Sequence, residues 1–137
     1  GAKALIRKVM AHYQPWSVNA LAQAVIKNIY DHPGDILPFY RQTREFIVKE
    51  RRAFVHALAE TEGIRLFDTP VYFVLARLDR IYAPELCRRV GDDRFLIRDC
   101  ANFKGLSDRF VRFSLKTREI NLALAQSIKT ALAREHT

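Results

Sequence analysis

The chain has 137 residues, which is the length of one ordinary domain and enough to bury a sizeable hydrophobic core. Hydrophobic residues make up 49% of the sequence and aromatic residues 11%, a composition that excludes an intrinsically disordered chain. No apolar run approaches the roughly 20 residues that a membrane-spanning helix needs. The N-terminus also lacks the apolar block of a signal peptide, so we expect a soluble, cytoplasmic protein.

The net charge is +8, and most of it lies in one short segment. Residues 94–118 carry seven basic and two acidic side chains, so this segment accounts for five of the eight charges. Such a balance suits nucleic acid, acidic lipid or a phosphorylated small molecule as partner, and charge alone does not choose among them. The two cysteines and four histidines are scattered without metal-ligand spacing, so we predict no metal site.

The first half of the chain is predicted to be helical. An amphipathic segment opens it, and helical spacing of apolar residues then follows Ser17, a plausible N-cap, until the breaker residues 31–34. A long helix is predicted over residues 36–62, with Pro38 in its first turn and Gly63 at its end.

The second half is predicted to form a small sheet with helices. Short β-rich runs predict strands, and the second of them is apolar throughout, so we expect it to be covered on both faces. These strands span residues 64–67, 71–75, 94–99 and 109–115. A short helix is predicted over residues 84–90, a loop over 101–108, and a last helix capped by Thr117. The fold class is therefore α/β: an α+β sandwich of two layers, with a small antiparallel or mixed sheet and helices packed on it.

Three segments of the chain together resemble one group of enzymes. They are residues 14–24 (QPWSVNALAQA), 95–106 (FLIRDCANFKGL) and 110–121 (FVRFSLKTREIN). Their order and spacing are similar to the C-terminal part of histidinol-phosphate aminotransferases, and more closely to that of the threonine-phosphate decarboxylases of cobalamin synthesis. The resemblance covers nearly the whole chain. It implies that residues 1–137 are the C-terminal small domain of a fold-type I enzyme that depends on pyridoxal phosphate (PLP).

The resemblance also implies what lies outside this sequence. In the family, an N-terminal large domain binds PLP and supplies the Schiff-base lysine, and no lysine here lies in the matching sequence context. We therefore expect the segment alone to be inactive, and its parent to be a homodimeric enzyme acting on a phosphorylated amino acid, without nucleic acid or membrane partners. The sequence leaves decarboxylation and transamination both open, because the two reactions use the same substrate contacts.

Three residues are expected to bind the substrate. Arg112 matches the family's carboxylate-binding arginine, and its planar guanidinium can make two parallel charged hydrogen bonds. Arg98 is the candidate for the substrate phosphate, and Asn102 for shaping the same loop. The alternatives are a solvated charge for Arg112, an ion pair with Asp99 or Asp93 for Arg98, and a simple turn residue for Asn102.

Two functions of other classes stay open. In a nucleic-acid-binding domain, basic residues alternate with exposed aromatic rings. Four phenylalanines do interleave with the arginines of the basic segment: Phe95, Phe103, Phe110 and Phe113. Alternation in a half-buried strand explains this pattern equally well. A regulatory or assembly domain that kept the fold and lost catalysis is the other alternative.

Overall fold

The computed structural model describes residues 2–12 and 18–133, which contain five helices and four strands. In chain order the elements are α1 (Lys3–Met10), α2 (Ala20–Asp31), α3 (Pro33–Leu58), β1 (Ile64–Leu66), β2 (Phe73–Leu78), α4 (Ala83–Asp92), β3 (Arg98–Asp99), β4 (Phe110–Ser114) and α5 (Arg118–Ala133). The chain divides into two compact units, Gly1–Arg41 and Gln42–Thr137, and the second unit contains the whole sheet.

The first unit is helical, as predicted, but its helix boundaries differ from the prediction. The expected N-cap, Ser17, lies outside the described residues, and α2 instead begins after Asn19. Asn19 Oδ1 accepts a hydrogen bond of 2.8 Å from the backbone N–H of Ala22, which satisfies one of the donors that a helix start leaves unpaired.

The long helix α3 also begins and ends earlier than the predicted 36–62. Pro33 is its first residue, where a missing N–H costs nothing, and Pro38 lies inside the helix rather than in its first turn. Gly63 does not end the helix. It follows a turn at φ +82°, where a side chain would be strained, and a Cβ there would lie 3.1 Å from Cδ of Arg80.

The four strands form one sheet in the order β1-β2-β4-β3, and every neighbouring pair is antiparallel. The predicted two-layer α/β fold is confirmed. The predicted strand 94–99 is wrong in length, because only Arg98 and Asp99 pair with β4. Arg94 takes a left-handed φ of 67° at the end of a turn after α4, which no strand residue can do.

The core lies between one face of the sheet and residues of α3, α4 and α5. Val74, Ala76 and Leu78 alternate into it from β2, and the rings of Phe54 and Phe113 meet at 5.6 Å. The prediction that the second strand is covered on both faces is wrong, because the residues between these three are half-buried or exposed. We call the opposite side the second face; its residues are Arg65, Phe73, Leu75, Arg77, Arg98, Phe110, Arg112 and Ser114.

A buried polar network joins α3 to the start of α5. In the first turn of α5, Ile120 is 45% exposed, whereas the polar Asn121 is only 1% exposed. Asn121 hydrogen-bonds both backbone polar groups of Lys116 and donates to Glu50 Oε2 at 3.3 Å. The guanidinium of Arg118 donates to both carboxylate oxygens of Glu50, so this buried charge is paired.

Replacing Glu50 should test how much this network stabilises the fold. Hydrogen bonds from Arg118 hold the pKa of Glu50 below its usual value despite burial. A lowered folded-state pKa stabilises the fold above the unfolded-state pKa, and this contribution disappears as the pH falls through the folded-state value. We expect Glu50→Gln to lower the free energy of unfolding at neutral pH by about 1–3 kcal/mol and to flatten its decline in acid.

Urea unfolding across a pH series measures both effects. Glu62→Gln is the matched control, because Glu62 pairs with Arg80 at the exposed surface, where an ion pair contributes little. An acid decline as steep in Glu50→Gln as in the wild type would contradict the assignment.

Candidate functional site

The two predicted substrate arginines lie directly opposite each other on the second face. Arg98 of β3 and Arg112 of β4 are Cα partners in the antiparallel ladder, a register that places Cα atoms about 4.5–5.5 Å apart. Arg98 is exposed and Arg112 half-buried. The Nε of Arg112 is buried and has no hydrogen-bond partner among the described residues.

Aromatic rings and one amide surround the two guanidinium groups. Cζ of Arg112 lies 4.9 Å from the ring centre of Phe73 and 6.0 Å from that of Phe103. Cζ of Arg98 lies 5.5 Å from the same Phe103 ring. Asn102 Oδ1 accepts a hydrogen bond of 3.0 Å from Arg98 Nη2, so the structure brings all three predicted site residues together.

Within the described ranges, neither arginine pairs with a carboxylate. The ion pair considered for Arg98 is not found, because both candidate acids bond elsewhere. Asp99 accepts from the backbone N–H of Ala101 at 2.8 Å, and Asp93 accepts from Ser127 Oγ at 2.6 Å. Arg118 is different, because its Nε and Nη2 donate to the carboxylate of Glu50.

This arrangement can bind anions. Like charges directly across a ladder destabilise a sheet, and a buried donor without an acceptor costs about 1–3 kcal/mol. An anion between Arg98 and Arg112 would relieve both, since carboxylate and phosphate oxygens accept the N–H donors that the protein leaves unpaired. The chemistry offered is therefore a set of N–H donors from two arginines that suits one or two negative groups.

Sequence reasoning did not assign Phe73 and Phe103 to the site. Phe103 directly follows Asn102 in the sequence, so its position next to a predicted site residue could have indicated it. Phe73 was placed in a strand expected to be covered on both faces, and only the pairing of β2 with β4 brings it to Arg112.

The buried cysteine beside the site is a poor nucleophile. Burial raises the pKa of the Cys100 thiol, although Arg112 and Arg98 act in the opposite direction. The thiol is therefore expected to stay protonated, because only the thiolate reacts readily.

The aromatic pattern of a nucleic-acid surface is not reproduced. Phe113 is fully buried, and Phe95 packs against the core. Of the four phenylalanines in the basic segment, Phe103 and Phe110 remain near the second face, and the ring of Phe110 stacks on Phe67 at 6.1 Å. A stacking platform for bases needs several exposed rings, so the burial of two weakens this alternative.

Other features of the described chain suggest no second site for chemistry. A shallow groove of about 670 Å³ is lined by α3 and Arg118 and contains none of the predicted site residues. Residues 2–12 and 18–133 contain no group of three His, Cys, Asp or Glu side chains that could hold a metal ion. No helix in the same ranges is long and apolar enough to cross a membrane.

The chain is similar in sequence to enzymes of two kinds, although no protein-family model matches it. A protein assigned as a threonine-phosphate decarboxylase in Caldanaerobacter subterraneus is 31% identical over 129 residues, which are 94% of this chain and 34% of that protein. The threonine-phosphate decarboxylase of Salmonella typhimurium is 26% identical over the same shares. The histidinol-phosphate aminotransferase of Methanocaldococcus jannaschii is 29% identical over 72 residues, 53% of this chain and 19% of that protein.

Solved structures agree with the sequence similarity. The histidinol-phosphate aminotransferase of Clostridium acetobutylicum is 30% identical, with a TM-score of 0.77 over 95% of this chain and 38% of that one. The L-threonine-O-3-phosphate decarboxylase of Porphyromonas gingivalis is also 30% identical, with a TM-score of 0.76 over 98% of this chain and 40% of that one. The two decarboxylases match nearly the whole of this chain, but the chain spans only about a third of their length. The predicted resemblance is confirmed: the chain is related in sequence and fold to threonine-phosphate decarboxylases and histidinol-phosphate aminotransferases.

Proposed function

We propose that residues 1–137 are the C-terminal small domain of a PLP-dependent enzyme that acts on a phosphorylated amino acid, and that this domain binds the substrate. The observation that carries the proposal is the pair of opposed arginines, neither of which meets a carboxylate among residues 2–12 and 18–133. The names of the relatives supply the reaction class and the phosphorylated substrate. The proposal includes a large domain outside this sequence, a cytoplasmic location and a homodimeric parent.

Each arginine has a distinct task in this proposal. Arg112 binds the α-carboxylate, because its half-buried guanidinium, with Nε unpaired, can make two parallel bonds to one carboxylate. Arg98 binds the phosphate from the more exposed side, where a larger and more strongly charged group fits. Asn102 orients Arg98 through one hydrogen bond and leaves its other donors for the ligand.

PLP, when bound, withdraws electrons from the bond that breaks at the substrate's α-carbon, and the protein chooses that bond by orienting the substrate. Two fixed grips, on carboxylate and phosphate, define such an orientation. Decarboxylation of a phosphorylated amino acid uses both grips, whereas histidinol phosphate has a phosphate but no carboxylate for Arg112 to bind. Relatives of both kinds match this chain.

The residues present fit a substrate-binding role rather than covalent attachment of the cofactor. Every lysine of the chain lies among the described residues, and all of them are exposed. A lysine that forms a Schiff base is activated by a desolvated or cationic pocket, and none of these has burial of that kind. In this proposal the attachment lysine belongs to the large domain.

Comparing the chain with its full-length parent tests the proposal. We expect the parent to show a saturable absorption band on titration with PLP and to convert O-phospho-L-threonine or a histidinol-phosphate-type substrate. Residues 1–137 alone should show neither, because the attachment lysine is absent. Carbon dioxide release and amino transfer, measured separately on the parent, decide between the two reactions. A saturable band that maps to one lysine of residues 1–137 would contradict the proposed division of labour.

A further inference from the structure

One aromatic ring lies beside both arginines of the candidate site, and the proposed function gives it no role. The ring centre of Phe103 is 5.5 Å from Cζ of Arg98 and 6.0 Å from Cζ of Arg112. The other ring at the site, Phe73, contacts Arg112 alone. Within the described residues, Phe103 is therefore the ring common to the two guanidinium groups.

A phenyl ring holds a cation differently from a carboxylate. Its quadrupole attracts the guanidinium, but it has no acceptor atom and takes up none of the N–H donors. Arg118 shows the contrast, because its Nε and Nη2 both donate to Glu50 and are no longer available to a ligand. Phe103 thus lies beside both arginines without taking up their N–H donors.

The loop backbone fixes this ring independently of any ligand. The N–H of Phe103 donates to the carbonyl of Cys100 at 3.0 Å, and the carbonyl of Phe103 accepts from the N–H of Leu106 at 3.0 Å. Two turns thus meet at this residue, and Gly105 completes the second at a φ of +87°. The ring is 41% exposed, so its location follows from the turns rather than from burial in the core.

We propose that Phe103 is a positioning residue that serves both arginines, setting the separation of the two guanidinium groups while leaving their donors to the substrate. The inference rests on the proposed function. Loss of the ring should therefore weaken the grips on carboxylate and phosphate together, whereas loss of Asn102 or Phe73 affects one arginine only.

The test uses the full-length parent loaded with PLP, and three variants. Phe103→Leu removes the aromatic face but keeps an apolar side chain of similar size, Phe103→Tyr keeps the face, and Phe46→Leu is the matched control on α3, where the ring is 47% exposed. Affinities for O-phospho-L-threonine and for L-threonine are measured by spectral titration, and kcat and KM are measured on the substrate that the parent uses.

We expect Phe103→Leu to lower the affinity for O-phospho-L-threonine by about tenfold and to lower the affinity for L-threonine measurably. KM should change more than kcat. Phe103→Tyr should bind like the wild type, and so should Phe46→Leu. A purely structural role predicts that Leu and Tyr behave alike.

If the Phe103→Leu variant binds O-phospho-L-threonine as tightly as the wild type does, the positioning role is overturned and the proposed function is not affected. Equal losses in Phe103→Tyr and Phe103→Leu would overturn the positioning role as well. Failure of the wild-type parent to bind either O-phospho-L-threonine or a histidinol-phosphate-type substrate would instead overturn the proposed function, and this inference with it.

Discussion

Arg112→Ala in the full-length parent should lower kcat/KM by roughly a hundredfold to a thousandfold, which is about 3–4 kcal/mol of lost transition-state binding. The reason is the loss of the two charged hydrogen bonds proposed between Arg112 and the substrate carboxylate, at a site where Nε of Arg112 has no hydrogen-bond partner among the described residues. Arg112→Lys should recover little of the loss, because a point charge cannot reproduce the planar fork. Steady-state kinetics of the two variants on the phosphorylated substrate provide the measurement.

Stability separates this prediction from a structural effect. Arg112→Ala removes a buried unpaired donor and the like charge opposite Arg98, while it loses the contact with Phe73. These contributions oppose each other, so we expect the free energy of unfolding to change by less than about 1 kcal/mol. Arg80→Ala is the control, since Arg80 pairs with exposed Glu62 away from the site, and it should retain full activity. Similar small kinetic effects of both substitutions would show that Arg112 is only a surface charge.

Arg98→Ala should produce a loss that depends on the substrate. A phosphorylated substrate loses a partner for its phosphate, so kcat/KM should fall by about tenfold to a hundredfold. A non-phosphorylated analogue has nothing at that position and should be nearly unaffected. Arg98→Lys should restore more activity than Arg112→Lys, because a point charge can still serve a phosphate.

Kinetics of Arg98→Ala on one substrate with and without its phosphate decide this assignment. An equal loss on both substrates would remove the phosphate role even if the parent proves to be a PLP-dependent enzyme. The same comparison on Arg112→Ala serves as an internal reference, because its loss should be large on both.

Local patterns predicted the element types well and their boundaries less well. A break between two helices was predicted at residues 31–34 and is found at His32 alone, since Asp31 ends α2 and Pro33 begins α3. The alternation of β4 was predicted correctly, because such a signal acts within a few residues. Pro38 was predicted to lie in the first turn of α3, but the helix begins at Pro33. Either proline suits a helix start, so the local preference could not choose between them. The strand predicted over residues 94–99 failed because Arg94 adopts a left-handed turn that no propensity indicates.

The sequence by itself determined the two-layer fold class, the family resemblance and the three residues of the candidate site. Periodicity is a local property and suffices for the fold class, whereas the resemblance to a known family named Arg98, Asn102 and Arg112 as candidates. Only the tertiary structure decided which residues share the site with them. The register of β3 and β2 against β4 opposes the two arginines and brings in Phe73, and the turns of residues 100–106 place Phe103 beside both. Cross-strand register depends on contacts between residues far apart in sequence, so no local pattern could have revealed the opposed arginines or the contact of Phe73 with Arg112.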